Sequence, residues 1–274
     1  TKPKFTINKL FKGNYTSSYE KYISDQFPFR DLFIGIKSDC EKFIGKKENN
    51  DVYLCEDGYL MEKFSEPNEE DFNKKIDAIN SFAISNPQIN KYFMLVPNSL
   101  KIKEEKLPKY APVVNELDIL EKVKNSIDNN IGFVDVYGVM SAKKDEYIYY
   151  KTDHHWTSKG AYYAYRELGE YMNFKPYSEE DFDIKEISDS FYGSLYSKGG
   201  FRNLDPDSIQ LYINKHDNKY EVKYYDSDEI TDSVYNMDNL NKKDKYTVFL
   251  NGNHPLLKIK TNISNRSEEH TSEL

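Results

Sequence analysis

The run Thr152-Asp153-His154-His155-Trp156-Thr157 puts an acid, two imidazoles and the chain's one tryptophan on four consecutive positions. A carboxylate two residues before a histidine can orient that ring, fix its tautomer and stabilise the imidazolium formed when it takes a proton. Asp153 and His155 are therefore the candidate acid and base of a serine-type site. They supply a base and not a nucleophile. The bland alternative has Asp153 capping the following helix while His154 and His155 pack or face solvent. An Asp-His-His triplet also suits a manganese phosphoesterase centre, but octahedral coordination needs further aspartates from other strand ends. Asp135 is the one candidate for that and lies inside a strand pattern, so no metal and no other cofactor is expected.

Two serines invite inspection as nucleophiles. Ser99 follows a strand end at Pro97-Asn98, and Ser194 stands in Phe191-Tyr192-Gly193-Ser194, which reads as a loop. Neither shows the strand, tight turn and helix start that expose a nucleophile and aim backbone N–H groups at an oxyanion. No nucleophile is assigned within the chain. Gly252 and Asn253 suit a turn better than an oxyanion contact, and Arg30 suits a helix-start ion pair better than a substrate clamp. Tyr149, Tyr150, Tyr162 and Tyr163 read as core or half-buried surface, and spacing does not select any tyrosines that would line a carbohydrate groove.

These residues need elements to position them. Residues 1–45 read as helical, with Tyr15, Tyr19, Tyr22 and Ile23 at helical spacing, a break at Phe27-Pro28, and a restart through Phe33, Ile36 and Phe43. Residues 51–60 read as a hairpin around Glu56-Asp57-Gly58. An amphipathic helix carries Phe72, Ile76, Ile79 and Ala83, and a strand follows at 92–96. A second helix carries Leu117, Leu120, Val123 and Ile127, before a strand at 133–136. Strand, helix, strand at this spacing is the mark of a parallel crossover. A short strand at 146–150 leads into the histidines. Thr157 or Ser158 then caps a helix with Ala161, Tyr165, Leu168 and Met172 on one face. The site is thereby expected on a strand-to-helix turn at the carboxyl edge of a sheet. Beyond 190, alternating segments at 208–213 and 220–225 flank Asp217-Asn218, and 246–250 and 256–259 add two strands, a mostly antiparallel flank.

Composition limits the function classes. The 24 Tyr and 16 Phe provide apolar area in a chain that is 31% charged, enough for one large domain or a core with an appended part. A net charge of -8, with lysines scattered among acids, repels phosphate backbones and excludes nucleic acid as a partner. Cys40 and Cys55 are either two thiols or one bridge, and structural thiols are the better reading because Cys40 falls in a helical pattern. No run reaches the roughly 18 apolar residues of a membrane span. The opening Thr1-Lys2-Pro3-Lys4, without an initiator Met, reads as following a lost upstream segment.

Three segments carry a resemblance to a known family: Thr152 to Thr157, Tyr22 to Asp31 (YISDQFPFRD) and Gly252-Asn253-His254-Pro255-Leu256. Together, in their order along the chain, they are similar to the bacterial DHHW protein family, over about residues 4 to 262. That family resembles SGNH-type hydrolases, particularly the alginate O-acetylation proteins. The resemblance implies a three-layer α/β/α fold, which with the residue patterns gives a mainly parallel sheet and a mostly antiparallel insertion or flank in the C-terminal third. The residue patterns themselves divide the chain into a helical segment and hairpin over 1–64, the core over 65–189, mostly antiparallel strands over 190–262 and, where apolar periodicity ends, a non-native tail over 263–274. Asp153 orients, His155 acts as base, Trp156 shapes the wall and His154 supports. The family's serine lies after one more core strand, past the last matched segment, so the chain is expected to be an inactive fragment. The implied parent is an extracytoplasmic esterase or O-acyltransferase acting on cell-surface polysaccharide, with an acyl donor as the other partner and membrane contact only through a missing N-terminal anchor. The rival is a non-catalytic carbohydrate-binding or envelope-assembly protein of the same fold.

Overall fold

The computed structural model describes residues 3–7, 14–25, 33, 36, 40, 43, 45–216 and 219–261. The expected helix restart at 29–31, Arg30, the Asp217-Asn218 turn and the tail at 263–274 lie outside the described residues. The first helix, α1 (Asn14–Asp25), covers the helical spacing of Tyr15, Tyr19 and Tyr22. A small antiparallel sheet follows, β1 (Glu48–Asn49), β2 (Val52–Leu54) and β3 (Leu60–Glu62), with Leu54 paired to Leu60 across the expected turn. Asp57 and Gly58 take positive φ there (55° and 77°), which the acid tolerates and the glycine favours.

Helix α2 (Glu69–Ser85) starts where the Asn68 side chain accepts the Glu70 and Asp71 N–H groups, satisfying donors a helix start otherwise leaves open. It leads to β4 (Lys91–Met94), the short α3 (Ser99–Ile102), α4 (Glu116–Ser126) and β5 (Ile131–Val134). β4 and β5 pair in parallel, Lys91 opposite Ile131 and Met94 opposite Val134. Side chains alternate across these strands. Phe93, Leu95, Ile131 and Phe133 join Phe72, Ile76 and Ala83 of α2 and Val123 of α4. Met94, Val96, Val134 and Val136 join Met140 of α5 (Tyr137–Ala142) and Tyr162, Tyr163 and Ala164 of α6 (Ser158–Met172). Helices thus cover both faces of the parallel pair, and each fully buried Val or Met contributes roughly 1.5–3 kcal/mol.

The rest is antiparallel. β6 (Phe182–Phe191) runs into α7 (Ser194–Gly199) and pairs with β7 (Asp207–Asn214); β8 (Tyr220–Tyr224) pairs with β9 (Ile230–Thr231) on one side and β10 (Leu257–Thr261) on the other. The fold is mixed α/β. Among the described residues parallel pairing is confined to β4 and β5, so the sheet is not mainly parallel as expected.

Three local expectations also change. Residues 146–150 do not form a strand of the sheet: Ile148, Tyr149 and Tyr150 are all buried, but Tyr149 pairs only in a single bridge with Trp156. A run buried on every side looks the same in sequence whichever backbone it adopts. Residues 246–250 form a 3₁₀ turn, Lys245–Val248, because Asp244 caps it by accepting the Tyr246 N–H, and Leu250, Asn251 and Gly252 then turn left-handed. The segments flanking 217–218 do not pair with each other, since the polar, ten-residue β6 takes β7 instead. On α6 the fully buried face is Tyr162, Tyr163 and Ala164, with Tyr165 and Leu168 beside it. Cys40 and Cys55 are free thiols, the first exposed and the second buried, with burial pushing the Cys55 thiol up to about 12. Among the described residues no helix is long and apolar enough to cross a membrane.

Candidate active site

The Asp-His-His run forms the tip of a tight antiparallel pinch. Its neck is the Tyr149–Trp156 bridge, closed by Tyr150 N–H to His155 O (3.2 Å) and Thr157 N–H to Ile148 O (3.0 Å). Trp156 packs half-buried on the core cluster beneath α6, so it anchors the pinch. Thr157 caps α6 by accepting the Gly160 N–H (3.3 Å), and its hydroxyl donates to Tyr147 O (2.7 Å). The parallel pair touches this loop at its carboxyl end, where the Tyr149 hydroxyl donates to Pro97 O.

Asp207, at the start of β7, holds the approach to the tip. Its buried carboxylate accepts the N–H groups of Lys151 and Thr152 (2.7 Å each), the Thr152 hydroxyl (2.5 Å) and the Tyr147 hydroxyl. Burial, reinforced by the Asp207 charge and hydrogen bond, holds the Tyr147 phenol far above its ordinary range, so it stays a neutral donor. Thr152 passes the restraint on: its hydroxyl accepts the Gly193 N–H (3.0 Å) and its carbonyl the Tyr196 N–H (3.0 Å). Gly193 packs so closely that an added Cβ would lie 2.2 Å from the Asp153 Cβ, which only glycine permits.

Asp153 is buried and doubly engaged. Its Oδ1 is 2.5 Å from His155 Nδ1 and accepts the His155 N–H (3.0 Å), while Oδ2 accepts the Ser194 N–H (2.7 Å). Burial pushes this carboxyl up. The His155 hydrogen bond and charge, the Ser194 N–H and the His154 charge outweigh it and hold Asp153 well below the usual carboxylate range. The His155 ring is sandwiched, with the His154 ring at 3.8 Å on one side and the Tyr246 ring at 3.9 Å, nearly parallel at 11°, on the other. His154 takes a different partner: its Nδ1 lies 2.7 Å from the Ser194 hydroxyl.

The expected residues therefore meet, and the two serines stand differently from expectation. Ser194 opens α7 directly after β6 and is exposed, so the strand, turn and helix start that its sequence hid are present; its hydroxyl faces His154 and not His155. Ser99 also opens a helix after a strand and is buried, at 3% exposure. Asp207, Gly193 and Tyr246 were missed. Nothing near the histidines in sequence marks them, although the glycine-serine pair after a strand is a usable sign.

Asp153, His154 and His155 offer one ligand atom each within 4.8 Å, but both Asp153 oxygens already serve His155 and Ser194. Asp135 is not in this group: it accepts the Tyr137 N–H (3.1 Å) at the start of α5. Gly252, with φ of 98°, lies in the left-handed turn, and Asn253 follows it, exposed.

A family model described as DHHW protein matches residues 50–269, and its four letters stand at Asp153, His154, His155 and Trp156. The chain belongs to the DHHW protein family. A solved structure of a DHHW family protein from Eubacterium siraeum matches with a TM-score of 0.66 at 22% identity, covering 80% of this DHHW chain and 73% of that one. Bacillus cereus PatB1 carrying a sulfonyl adduct matches at 0.62 and 15% identity, covering 78% and 75%. The O-acetyltransferase domain of Pseudomonas putida AlgJ matches at 0.45 and 20% identity, covering 58% and 63%, too loosely to argue from. No curated protein matches the sequence. At these identities the first two likenesses establish a shared mixed α/β fold.

Proposed function

We propose that this DHHW protein hydrolyses or transfers an acyl group, acetyl in the first instance, on a cell-surface polysaccharide outside the cytoplasm. Asp153 is the orienting acid and His155 the general base. The observation that carries the reading is the 2.5 Å bond from Asp153 Oδ1 to His155 Nδ1, in a ring clamped between His154 and Tyr246. With Nδ1–H given to a carboxylate, Nε2 is the basic nitrogen, and the buried anion stabilises the imidazolium.

In the first half-reaction a serine hydroxyl attacks the donor's carbonyl carbon and passes its proton to His155 Nε2. The tetrahedral oxyanion collapses, the leaving group departs with that proton, and an acyl-serine ester remains. In the second, a sugar hydroxyl or water gives its proton to His155 and attacks the same carbonyl; the serine leaves and regains the proton. We place this serine outside the described residues, because the Ser194 hydroxyl faces His154 and not the His155 that Asp153 orients, and Ser99 is buried. The sulfonyl adduct named for PatB1 is in keeping with a nucleophilic hydroxyl, the kind of group sulfonyl halides modify.

The test is turnover of an activated acetyl ester, and acetyl transfer to oligosaccharides, by the protein made from its complete gene. Asp153→Asn and His155→Ala should each lower turnover by on the order of 10³–10⁴-fold, and intact mass should show one sulfonyl group on a serine. The 274-residue chain alone should turn over the ester no faster than its His155→Ala variant. Equal turnover by His155→Ala and the parent in the complete protein would refute the dyad. His155-dependent acyl-enzyme in the 274-residue chain would move the nucleophile to Ser194 or Ser99.

A further inference from the structure

A cavity of about 230 Å³ opens beside the dyad, lined by Lys63, Phe64, Ser65, Asn98, Ser99 and His154. At roughly 30 Å³ per liquid water it holds the volume of about eight waters, room for one sugar ring. His154 is the link to the chemistry, since its ring lies 3.8 Å from that of His155. An occupant of the cavity therefore contacts the ring that stacks on the base.

The lining is one aromatic ring among hydroxyl, amide, imidazole and ammonium groups, a set that meets a sugar's apolar face on one side and its hydroxyls elsewhere. Its floor is rigid. Asn98 starts α3 by accepting the Lys101 N–H (3.4 Å), and its own N–H is held by the buried Glu116 carboxyl (3.0 Å); Ser99 beside it is buried. A preorganised floor lets a ligand bind without ordering the loop first. The wall from β3 is half-open and carries the charge. Glu62 also faces the cavity, but its carboxylate is paired with Lys198 at 2.5 Å. Lys63 forms no ion pair among the described residues, so the cavity's uncompensated charge is positive.

We infer that this cavity is the acceptor subsite and that it takes a single saccharide unit bearing an acidic substituent, with Lys63 opposite the anion and Phe64 under the ring. The inference rests on the acyl-transfer reading for its place in the reaction but not for binding itself. In that reaction the unit's hydroxyl beside His154 would lose its proton to His155 as it attacks the acyl carbonyl.

Binding and turnover separate the two. Calorimetry with short uronic-acid and neutral oligosaccharides on the 274-residue chain should show the acidic ones binding more tightly. Lys63→Ala should weaken the acidic oligosaccharide at least tenfold and the neutral one little, and Phe64→Ala should weaken both; His155→Ala should change neither more than twofold. In the complete protein Lys63→Ala should raise KM for the acidic acceptor at least tenfold and KM for the neutral acceptor little. Folding of each variant is checked by its thermal midpoint, and Lys63→Arg should restore part of the affinity. No binding by any oligosaccharide, or affinities indifferent to Lys63 and Phe64, would overturn the subsite even if His155-dependent turnover is found. Loss of turnover's dependence on His155, with binding intact, would sink the chemistry and leave the binding site standing.

Discussion

Ile76 and Val123 reach the parallel pair through apolar positions that recur every three or four residues along α2 and α4, whereas Asp153 is fixed by Ser194, 41 residues away, and Thr152 by Asp207, 55 residues away. The first region is held by many weak, interchangeable contacts. The second is held by a few polar bonds to buried carboxylates, each of which leaves donors stranded when removed. A core of the first kind tolerates changes that keep its volume. A loop of the second kind should fail at single positions.

The largest expected effect follows from Asp207. Asp207→Ala removes the acceptor of four donors in the segment 147–152 and should cost roughly 4 kcal/mol or more in denaturant titrations. Asp207→Asn, which can still accept some of these bonds, should cost about half as much. A loss under about 1 kcal/mol for the alanine variant would show that the loop is held by packing like the core.

Glu116 sharpens the comparison at the border of the two regions. Burial, only partly countered by the Asn98 N–H and Lys101, pushes its carboxyl from 4.5 up to about 7. The folded protein therefore holds this proton more tightly than the unfolded chain, so stability falls as pH rises from about 4.5 to about 7 and is flat above that. The full difference is about 3 kcal/mol at ~1.4 kcal/mol per pH unit. Glu116→Gln should keep the Asn98 bond and flatten the profile, with thermal midpoints converging on the parent's at low pH and exceeding them at pH 8. An unchanged slope would assign the pH dependence elsewhere.

Tyr246 should give the smallest effect. Tyr246→Leu removes the ring stacked on His155, worth about 0.5–1.5 kcal/mol. It should lower stability by that amount while broadening the His155 ring resonances, a sign of lost clamping. Sharp, unshifted resonances would make Tyr246 a bystander.

What could be read in the sequence follows the same division. α2, α4, β4, β5 and the hairpin of β2 and β3 were legible because periodicity and a turn signal act over a few residues. The Asp153 and His155 pairing was legible because the two lie in one short turn. Asp207 and Tyr246 were not, since one aspartate at a strand start and one of 24 tyrosines carry no local mark of the loop they serve. Residues 146–150 misled because Ile148, Tyr149 and Tyr150 are buried by tertiary contacts and not by a sheet ladder. Ser194 misled because Phe191-Tyr192-Gly193 hides the end of β6, whose polar residues give no alternating pattern.

The central claim is that Asp153 makes His155 a base by holding its Nδ1 proton. Long-range ¹⁵N correlation spectra of the histidine rings test it without any substrate. In the parent protein, above the pH at which the ring loses its charge, His155 should be the Nδ1–H tautomer with Nε2 unprotonated, and Asp153→Asn should shift it toward a mixture of tautomers. His155 as the Nε2–H tautomer in the parent, or a ring indifferent to Asp153→Asn, would contradict the claim.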